Sequence, residues 1–424
     1  MKNMNYQFCN LILLTGTNPL PNFVVAEYFL AQNKNLKNIF LIYSEETNNQ
    51  RGTKNYCDTL KELLNSHHQN NLTFEFIHLS NISDASQIRR NLDARLLPLL
   101  NSTFSVHLNY TGGTKVMGTH VYRWLEEKAR ENNIKASFSY LDARTFQIVD
   151  DINGRITGDL RNEIGLSIQE LISLHEFERK NKPSEEIDLF KNAVNKFKEL
   201  IEADKLKDWF NKYQRDLFTS KNPKEKDKLV EKIRNLKDDL KNFRAEGSFL
   251  EIIRSMPEDY ILFNNDGSFR EPKSNDCLKQ AVKFLDGKWL ELYVFDVLKN
   301  NLTGQNIEID RNWEIKKKQW SSQHQKFELD IILLKGYQLI GISCTTASQR
   351  HICKSKGFEI FLRTRQIGGK EARAVLITRL NKSQRNELQE ELEIDTEGKE
   401  NILVLGEDDL KESVLINRIK DFIK

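Results

Sequence analysis

Residues 104–130, FSVHLNYTGGTKVMGTHVYRWLEEKAR, join an apolar strand pattern to a helical pattern through two adjacent glycines. Glycine costs backbone entropy at such a turn, which indicates that the main chain must stay uncovered there. On both sides of this stretch, short apolar strands alternate with helical patterns from residue 9 to about 150. This alternation predicts an α/β fold with a Rossmann-like, doubly wound parallel sheet covered by helices.

Hydroxyl-rich loops follow three strands of the predicted sheet. Ligands bind outside the carboxyl ends of such strands, so we expect these loops to line one crevice. Uncovered N–H groups at a helix start, threonine hydroxyls and a lysine suit an anionic phosphate. The predicted ligand-binding residues are Thr15, Gly16, Thr17 and Asn18 after the first strand, Ser44 and Glu45 after the second, and Thr111, Gly112, Gly113, Thr114 and Lys115 after the fourth.

The spacing of the glycine turn fits neither of the common phosphate-binding loops. A Walker loop needs GxxxxGK[ST] and a dinucleotide-binding turn needs GxGxxG. For this turn alone, a tight turn with a threonine helix cap is an equal alternative. The presence of three such loops on one edge of the sheet favours a ligand crevice.

Length and composition predict a multi-domain protein without a membrane span. The 424 residues divide into a sensing domain over 1–154, a helical connector over 155–280 and a second α/β domain over 281–424. With 64 basic and 61 acidic residues, the net charge of +3 indicates no particular partner. No apolar run is long enough to cross a bilayer, and five scattered cysteines do not resemble a disulfide framework, so we expect a cytoplasmic protein.

The connector is rich in aromatic residues, and it would carry movement from the sensing domain if its apolar face packs on that domain. A loop or hinge is expected at Thr219–Lys228. The aromatic residues are Phe190, Phe197, Trp209, Phe210 and Tyr213.

Two acids lie close together in the strand pattern KFELDIILL, residues 326–334. Strand alternation puts Glu328 and Asp330 on one face, with Phe327, Leu329 and Ile331 on the other. Carboxylates on an apolar strand are costly to bury without a cation, and Mg²⁺ and Mn²⁺ prefer carboxylate oxygens. Glu291 on the preceding helix is the third candidate, and ordinary surface acids are the alternative.

A basic stretch between Thr345 and Val375 is typical of a surface that binds a phosphate backbone. A solvated basic helix is the alternative. Its seven basic residues are Arg350, Lys354, Lys356, Arg363, Arg365, Lys370 and Arg373, against the acids Glu359 and Glu371.

The segments LLTGTNPLP and LNYTGGTKVMG resemble the CARF sensor domains of type III CRISPR defence. The resemblance covers residues 1 to about 150. It implies a domain that binds a cyclic oligoadenylate across a homodimer interface, and we expect cyclic tetra-adenylate. A cyclic ligand with two-fold symmetry suits two identical sites.

The C-terminal pattern resembles the PD-(D/E)xK nuclease superfamily, and the whole chain is similar to the CARF-nuclease effectors. The resemblance rests on Trp289-Leu290-Glu291, Glu328-Leu329-Asp330 and Gly368-Gly369. It implies that Glu291, Glu328 and Asp330 hold manganese or magnesium, and that the domain cleaves a nucleic acid, preferably a single-stranded one. Where the superfamily has ExK, this chain has Ser343-Cys344-Thr345. Either the lysine function has moved, or the metal works without the lysine, or the domain is catalytically inactive. We expect Lys354, or else Lys356, to replace the missing lysine.

The sequence leaves two other functions open. One is a regulator that senses a ligand and binds nucleic acid without cleaving it. The other is a restriction-type nuclease that is not gated by cyclic oligoadenylate. The acidic pair argues against the regulator, since carboxylates that face phosphates do not help a protein that only binds.

Overall fold

A computed structural model describes residues 8–48, 51–68, 72–100, 105–181, 186–211, 237, 240–302, 306–318 and 326–424. The described residues form two sheets with helices packed on them. Within these residues, no helix is long and apolar enough to span a membrane.

The first sheet has seven strands in the order β3-β2-β1-β4-β5-β6-β7. Its first five strands along this order pair in parallel, and β6 and β7 extend the edge in the antiparallel sense. The strands are β1 (Asn10–Thr15), β2 (Asn38–Ser44), β3 (Thr73–Leu79), β4 (Ser105–Asn109), β5 (Lys135–Asp142), β6 (Gln147–Asp150) and β7 (Gly154–Arg155).

Helices cover both faces of this sheet, which confirms the predicted doubly wound fold. One apolar core joins α1 and α2 to one face, and a second joins α3 and α4 to the other. The strand order reverses between β1 and β4, the switch point at which such sheets bind ligands. The helices are α1 (Leu20–Gln32), α2 (Lys54–His67), α3 (Ala85–Arg95) and α4 (Lys115–Glu131).

The second sheet has six strands in the order β13-β12-β11-β10-β9-β8. Strands β8 to β11 are antiparallel, and β11 to β13 are parallel. The strands are β8 (Phe177–Arg179), β9 (Ile307–Lys317), β10 (Phe327–Lys335), β11 (Gln338–Cys344), β12 (Arg373–Ile377) and β13 (Ile402–Leu405).

The helices around the second sheet complete the predicted helix-strand-strand-strand-helix-strand core, formed by α10, β9, β10, β11, α11 and β12. Helix α12 was not predicted, and neither was β8, which lies inside the segment expected to be helical. The helices are α5 (Ile168–Leu174), α6 (Glu186–Glu202), α7 (Leu206–Trp209), α8 (Gly247–Arg254), α9 (Asn275–Lys283), α10 (Trp289–Leu302), α11 (Arg350–Gly368), α12 (Lys382–Asp395) and α13 (Glu412–Ile423).

The connector helix α6 packs on the second domain, so it does not meet the condition under which the connector would carry movement from the sensor. The ring of Phe197 stacks on Trp289 at 4.0 Å, and Phe190 stacks on Phe284 at 4.5 Å. These large flat side chains find matching apolar surface on α10 and the turn before it, and they share one buried core with the second sheet. Tyr213 and the hinge expected at Thr219–Lys228 lie outside the described residues.

Candidate nucleotide cavity and nuclease centre

A cavity of about 700 Å³ lies at the switch point of the first sheet. The loops after β1, β2, β3 and β4 line it with mostly uncharged polar groups. Its volume and its position at the carboxyl ends of parallel strands are those of a nucleotide-sized site. The lining residues are Thr15, Gly16, Thr17, Ser44, Thr47, Arg51, Thr53, Ser80, Asn81, Ile82, Ser83, Gln87, Gly113, Thr114 and Met117.

The two glycines of the turn after β4 are required by its geometry. A Cβ atom on Gly112 would lie 1.8 Å from the carbonyl oxygen of Leu14, and Gly113 has a φ of +72°. The chain therefore turns tightly against β1 before α4 begins. Thr114 caps α4, because its hydroxyl accepts a hydrogen bond of 3.2 Å from the N–H of Met117. The turn is thus a capped helix start that also lines the cavity.

Six of the eleven predicted ligand residues line the cavity, namely Thr15, Gly16, Thr17, Ser44, Gly113 and Thr114. Gly112 is not among the lining residues, because it lies against Leu14. The Thr111 hydroxyl turns toward the sheet, where it donates to Asn109 and accepts from the N–H of Leu141, both at 2.6 Å.

Two charged residues of the predicted set also lie outside the lining. Glu45 lies 4.0 Å from His78. Lys115 is exposed as the first residue of α4, one position beyond the lining residue Thr114. The basic side chain that does line the cavity is Arg51, which donates a hydrogen bond of 3.1 Å to Tyr56.

The residues that the sequence reasoning missed come mainly from the loop after β3. Ser80, Asn81 and Ser83 follow a strand of the same parallel sheet, so the rule that found the other loops applies to them equally. The polar run Ser80-Asn81-Ile82-Ser83 could therefore have been predicted from the sequence to line the cavity. Arg51 had no such signal, because it lies seven residues beyond the end of β2.

Asn18 contacts the second domain and not the cavity. Its amide Nδ2 donates a 3.0 Å hydrogen bond to the carboxylate of Glu371, and its Oδ1 lies 3.1 Å from Nε2 of His175. The backbone of Gly369 packs so closely on Asn18 that a Cβ atom there would approach its side chain to 2.5 Å. Asn18 thus joins the first sensor loop to the Gly368–Glu371 segment of the second domain.

Asp330 lies at a position where β10 is paired with neither of its neighbouring strands. The register of β10 with β9 skips the position opposite Asn312, whose φ is +55°, and its pairing with β11 reaches only to Ile331. Two hydrogen bonds then orient the carboxylate: Oδ2 accepts from the Ser343 hydroxyl at 3.0 Å and from the Cys344 N–H at 2.8 Å.

The gap in strand pairing at Asp330 also changes the apolar core to which the neighbouring residues of β10 belong. Phe327 and Leu329 belong to the core that contains α11, whereas Ile331 belongs to the core beneath α10. The expectation that all three share one face is therefore wrong at Ile331. Regular alternation ends where the ladder is interrupted.

Glu291, in the first turn of α10, approaches Asp330 from the helix side. The pKa of the Glu291 carboxyl is raised to about 7, first by burial and then by the negative charge of Asp330, while Lys288 acts in the opposite direction. The Lys288 ammonium forms an ion pair with Glu291, with only 8% of the lysine side chain exposed. Two carboxylates and one ammonium thus form a charged cluster between α10 and β10.

Glu328 is exposed and lies opposite Glu314 in the β9–β10 ladder. Its charge is the smallest of the contributions to the raised pKa of Glu291. Glu328 therefore lies at the edge of this centre, whereas Glu291 and Asp330 form its interior.

The position of Lys354 does not fit its predicted role as the replacement lysine. Its ammonium pairs with Glu391 and, at 3.1 Å, with Asp395, and both acids belong to α12. Arg350 pairs with Glu391 as well, at 2.8 Å, so acids of α12 offset part of the basic stretch. Since α12 was not predicted, the sequence reasoning could not foresee these partners.

Lys356, on the same helix as Lys354, acts through its charge on the end of β11. Burial raises the pKa of the Cys344 thiol well above its usual value, and the charges of Lys288 and Lys356 act in the opposite direction. Lys288 also contacts Glu291 directly.

The donor set of this centre suits a hard divalent cation. Within the described ranges, no group of three or more His, Cys, Asp or Glu side chains is arranged to hold a metal ion. Mg²⁺, however, is commonly held by one or two carboxylates, with water and substrate phosphate oxygens as the remaining ligands. Glu291 and Asp330 fit that pattern, because the negative charge of Asp330 disfavours the ionisation of Glu291 and a cation relieves this repulsion.

Comparisons with known proteins match two parts of the chain, one for each of the two sheets. Residues 11–177 match the family of the Card1 CARF domain, and residues 278–413 match the Card1-like endonuclease domain. A search of curated protein sequences found no match.

Two solved structures resemble nearly the whole chain. Can2 from Sulfobacillus thermosulfidooxidans, solved in complex with cyclic tetra-adenylate, aligns over 98% of this chain and 99% of its own, with 19% identity and a TM-score of 0.58. Protein VC1899 from Vibrio cholerae aligns over 97% of both chains, with 14% identity and a TM-score of 0.65. At these identities the likeness shows a shared fold.

A sensor with a cavity at the switch point of a Rossmann-like sheet, joined to a nuclease fold with a pair of carboxylates, defines the class of CARF-domain nuclease effectors. The two matched domains together cover more than half of the chain. The chain belongs to the Card1-like family of this class, with a CARF domain followed by an endonuclease domain.

Proposed function

We propose that this protein is a metal-dependent endonuclease of antiviral defence that cyclic oligoadenylate switches on. Cyclic tetra-adenylate is the proposed activator. The observation that carries the proposal is the continuity of the first sensor loop: Thr15 and Thr17 line the cavity, while Asn18 in the same loop contacts Glu371 of the endonuclease domain. The solved structure of Can2 with cyclic tetra-adenylate supports the choice of ligand through a shared fold.

The cavity suits a cyclic oligonucleotide because it offers many neutral donors and few charges. Hydroxyl, amide and backbone N–H groups come from four loops, with Arg51 as the basic member. Phosphodiester oxygens accept hydrogen bonds from such groups, and the start of α4 adds a favourable dipole. Lys115 remains a proposed ligand contact at the rim. Two protomers of a homodimer would together hold one two-fold symmetric ring.

At the nuclease centre, Asp330 and Glu291 would hold magnesium or manganese, with Glu328 at the edge. A divalent ion bound there would polarise the scissile phosphate and lower the pKa of the attacking water. Ser343 and Cys344 fix the Asp330 carboxylate through its Oδ2 atom, which keeps the pair in place while substrate binds. Single-stranded RNA or DNA is the proposed substrate.

The non-catalytic regulator fits this centre less well. A protein that only binds nucleic acid would place cations at this centre, whereas this chain places two acids there, Asp330 of β10 and Glu291 of α10, and burial raises the pKa of Glu291. Burying an acid beside a second acid costs free energy. Metal binding accounts for this cost, whereas phosphate binding alone does not.

Cleavage of end-labelled RNA and DNA tests the proposal, with and without cyclic tetra-adenylate and Mn²⁺. We expect rapid cleavage only when both are present. Calorimetry on the same preparation should show cyclic tetra-adenylate binding. Binding without any metal-dependent cleavage would favour the regulator, and cleavage that ignores the ligand would favour the ungated nuclease.

A further inference from the structure

We propose that Lys288 is a catalytic residue that contacts the substrate phosphate and supplies the positive charge which the third strand of the nuclease core lacks. The inference rests on the proposed nuclease function and adds a residue to it. It follows from where the chain places Lys288 relative to the end of β11 and to the two carboxylates.

The end of β11 cannot supply this charge itself. Ser343, Cys344 and Thr345 occupy the positions at which the core would carry an acid and a lysine. Ser343 and Cys344 both donate to Asp330, and the N–H of Thr345 donates to the carbonyl of Ile377 at 2.8 Å. These residues orient a carboxylate and continue the sheet, but none of them is a cation.

A distorted turn brings Lys288 to the same place. Residues 284–288 connect α9 to α10 through a kink at Gly287, whose backbone angles are not helical. The hydroxyl of Thr346, just beyond β11, donates a 2.8 Å hydrogen bond to the carbonyl of Asp286. Gly287 packs on Thr346 as well, so the turn is fixed against the strand end.

The Lys288 side chain lies between Glu291 and a small cavity. Its ammonium contacts Glu291, and its side chain is 8% exposed. The cavity of about 150 Å³ that it lines has a mixed wall, with Gln280 and Lys283 as polar members and Phe190, Phe284 and Leu292 as apolar members. A cation at this position can contact a phosphate oxygen bound between it and the carboxylates.

The chemistry needed at this point is electrostatic. Negative charge grows on the phosphate oxygens in the transition state, and a fixed positive charge in a water-poor site stabilises it more than water would. A flexible surface lysine would not be fixed in this way. Lys354 does not supply this charge, because its ammonium pairs with Glu391 and Asp395 of α12 and not with the acids of the centre.

The alternative role for Lys288 is purely structural, as the partner that holds Glu291 in place. The two roles differ in their effect on metal binding. If Lys288 is structural, its replacement should lower the metal affinity and the activity of the enzyme together. A catalytic lysine competes with the cation for Glu291, so its removal should leave Mn²⁺ affinity equal or higher while the rate falls.

The experiment compares full-length wild type with Lys288→Ala, Lys288→Met and Lys288→Arg. Lys283→Ala, which changes the same cavity, and Lys354→Ala serve as matched controls. Steady-state cleavage at saturating cyclic tetra-adenylate and Mn²⁺ gives kcat and KM, calorimetry gives the Mn²⁺ affinity, and circular dichroism reports folding. Lys288→Met keeps the apolar stem and tests the charge if Lys288→Ala unfolds.

We expect kcat to fall about 100-fold or more in Lys288→Ala and Lys288→Met, with partial recovery in Lys288→Arg and near-normal kcat in both controls. Mn²⁺ should bind each Lys288 variant at least as tightly as wild type. A kcat within threefold of wild type in a folded Lys288→Met variant would overturn the proposal, as would a parallel loss of Mn²⁺ binding. A wild type that never cleaves would instead overturn the nuclease function, and the role of Lys288 with it.

Discussion

The amide of Asn18 donates a 3.0 Å hydrogen bond to the carboxylate of Glu371, and this bond joins the sensor to the endonuclease domain. Glu371 is buried and Asn18 is half-buried, and burial raises the pKa of Glu371 even though Asn18 acts in the opposite direction. The preceding residues Thr15, Gly16 and Thr17 line the cavity. A ligand that moves this loop must therefore also move Asn18 against Glu371.

Replacing Asn18 should uncouple the two domains. We expect Asn18→Ala to lower the ratio of cleavage rates with and without ligand by roughly tenfold or more, because a hydrogen bond to a carboxylate contributes about 1.5–3 kcal/mol. Parallel cleavage assays in the two conditions measure this ratio. Glu371→Gln, which keeps the shape and removes the charge, should reduce the ratio less. An unchanged ratio in Asn18→Ala would show that coupling takes another route.

Arg51 should determine part of the affinity for the ligand. Arg51→Ala removes the basic group that lines the cavity, and we expect cyclic tetra-adenylate to bind about ten- to a hundredfold more weakly. Lys54→Ala is the matched control, since Lys54 lies three residues away, is exposed and pairs with Asp58 at 2.8 Å. Calorimetry measures both variants. Equal affinities in the two would remove Arg51 from the binding site.

The three acids should differ in their contribution to cleavage. Asp330→Asn should abolish activity, because a neutral amide cannot supply the charge that holds a hard cation beside a phosphate. Glu291→Gln should lose most activity, and Glu328→Gln should retain more than either, because Glu328 is exposed at the edge of the centre. Rate measurements at fixed Mn²⁺ give the order. Full activity in Asp330→Asn, or cleavage in excess chelator, would contradict the metal assignment.

The raised pKa of Glu291 predicts a pH dependence of stability without metal. Its pKa of about 7 lies above the usual 4.5, so the folded protein holds this proton more tightly than the unfolded chain does. The stabilisation is complete below pH 4.5 and is lost as the pH rises to about 7, by up to about 3 kcal/mol. Denaturant unfolding in chelator should show this loss in wild type relative to Glu291→Gln.

Divalent metal should reverse that loss. Mn²⁺ binds the ionised carboxylate, so its binding should release protons and strengthen as the pH rises through 7. Calorimetry in buffers with different ionisation enthalpies measures the proton release. Identical Mn²⁺ affinities at pH 6 and pH 8 would argue that Glu291 is not a ligand.

The sequence predicted the fold because its patterns are local. Strand and helix periods, the glycine turn and the strand acids can each be read within about a dozen residues, and their order defines both sheets. The sequence did not reveal that α6 packs on α10 or that Asn18 reaches Glu371, since such contacts join positions far apart in the chain. No periodicity specifies which distant surface an apolar face or a loop amide will meet.

The same distinction applies to the candidate site. Glu291 and Asp330 could be named from their residue type and spacing, whereas Lys288 could not, because its position depends on the kink at Gly287. Lys354 was preferred from sequence because its helix follows β11. Its actual partners belong to α12, a helix whose mostly polar sequence gave little signal.

Gated cleavage is the central claim, and the most direct test is the rate of cleavage of a labelled single-stranded substrate with Mn²⁺, as cyclic tetra-adenylate is titrated. Binding is followed by calorimetry in the same buffer. We predict near-silent cleavage without ligand and a steep rise that saturates at the binding stoichiometry, with Asp330→Asn silent throughout. Equal cleavage rates with and without bound cyclic tetra-adenylate would contradict the account.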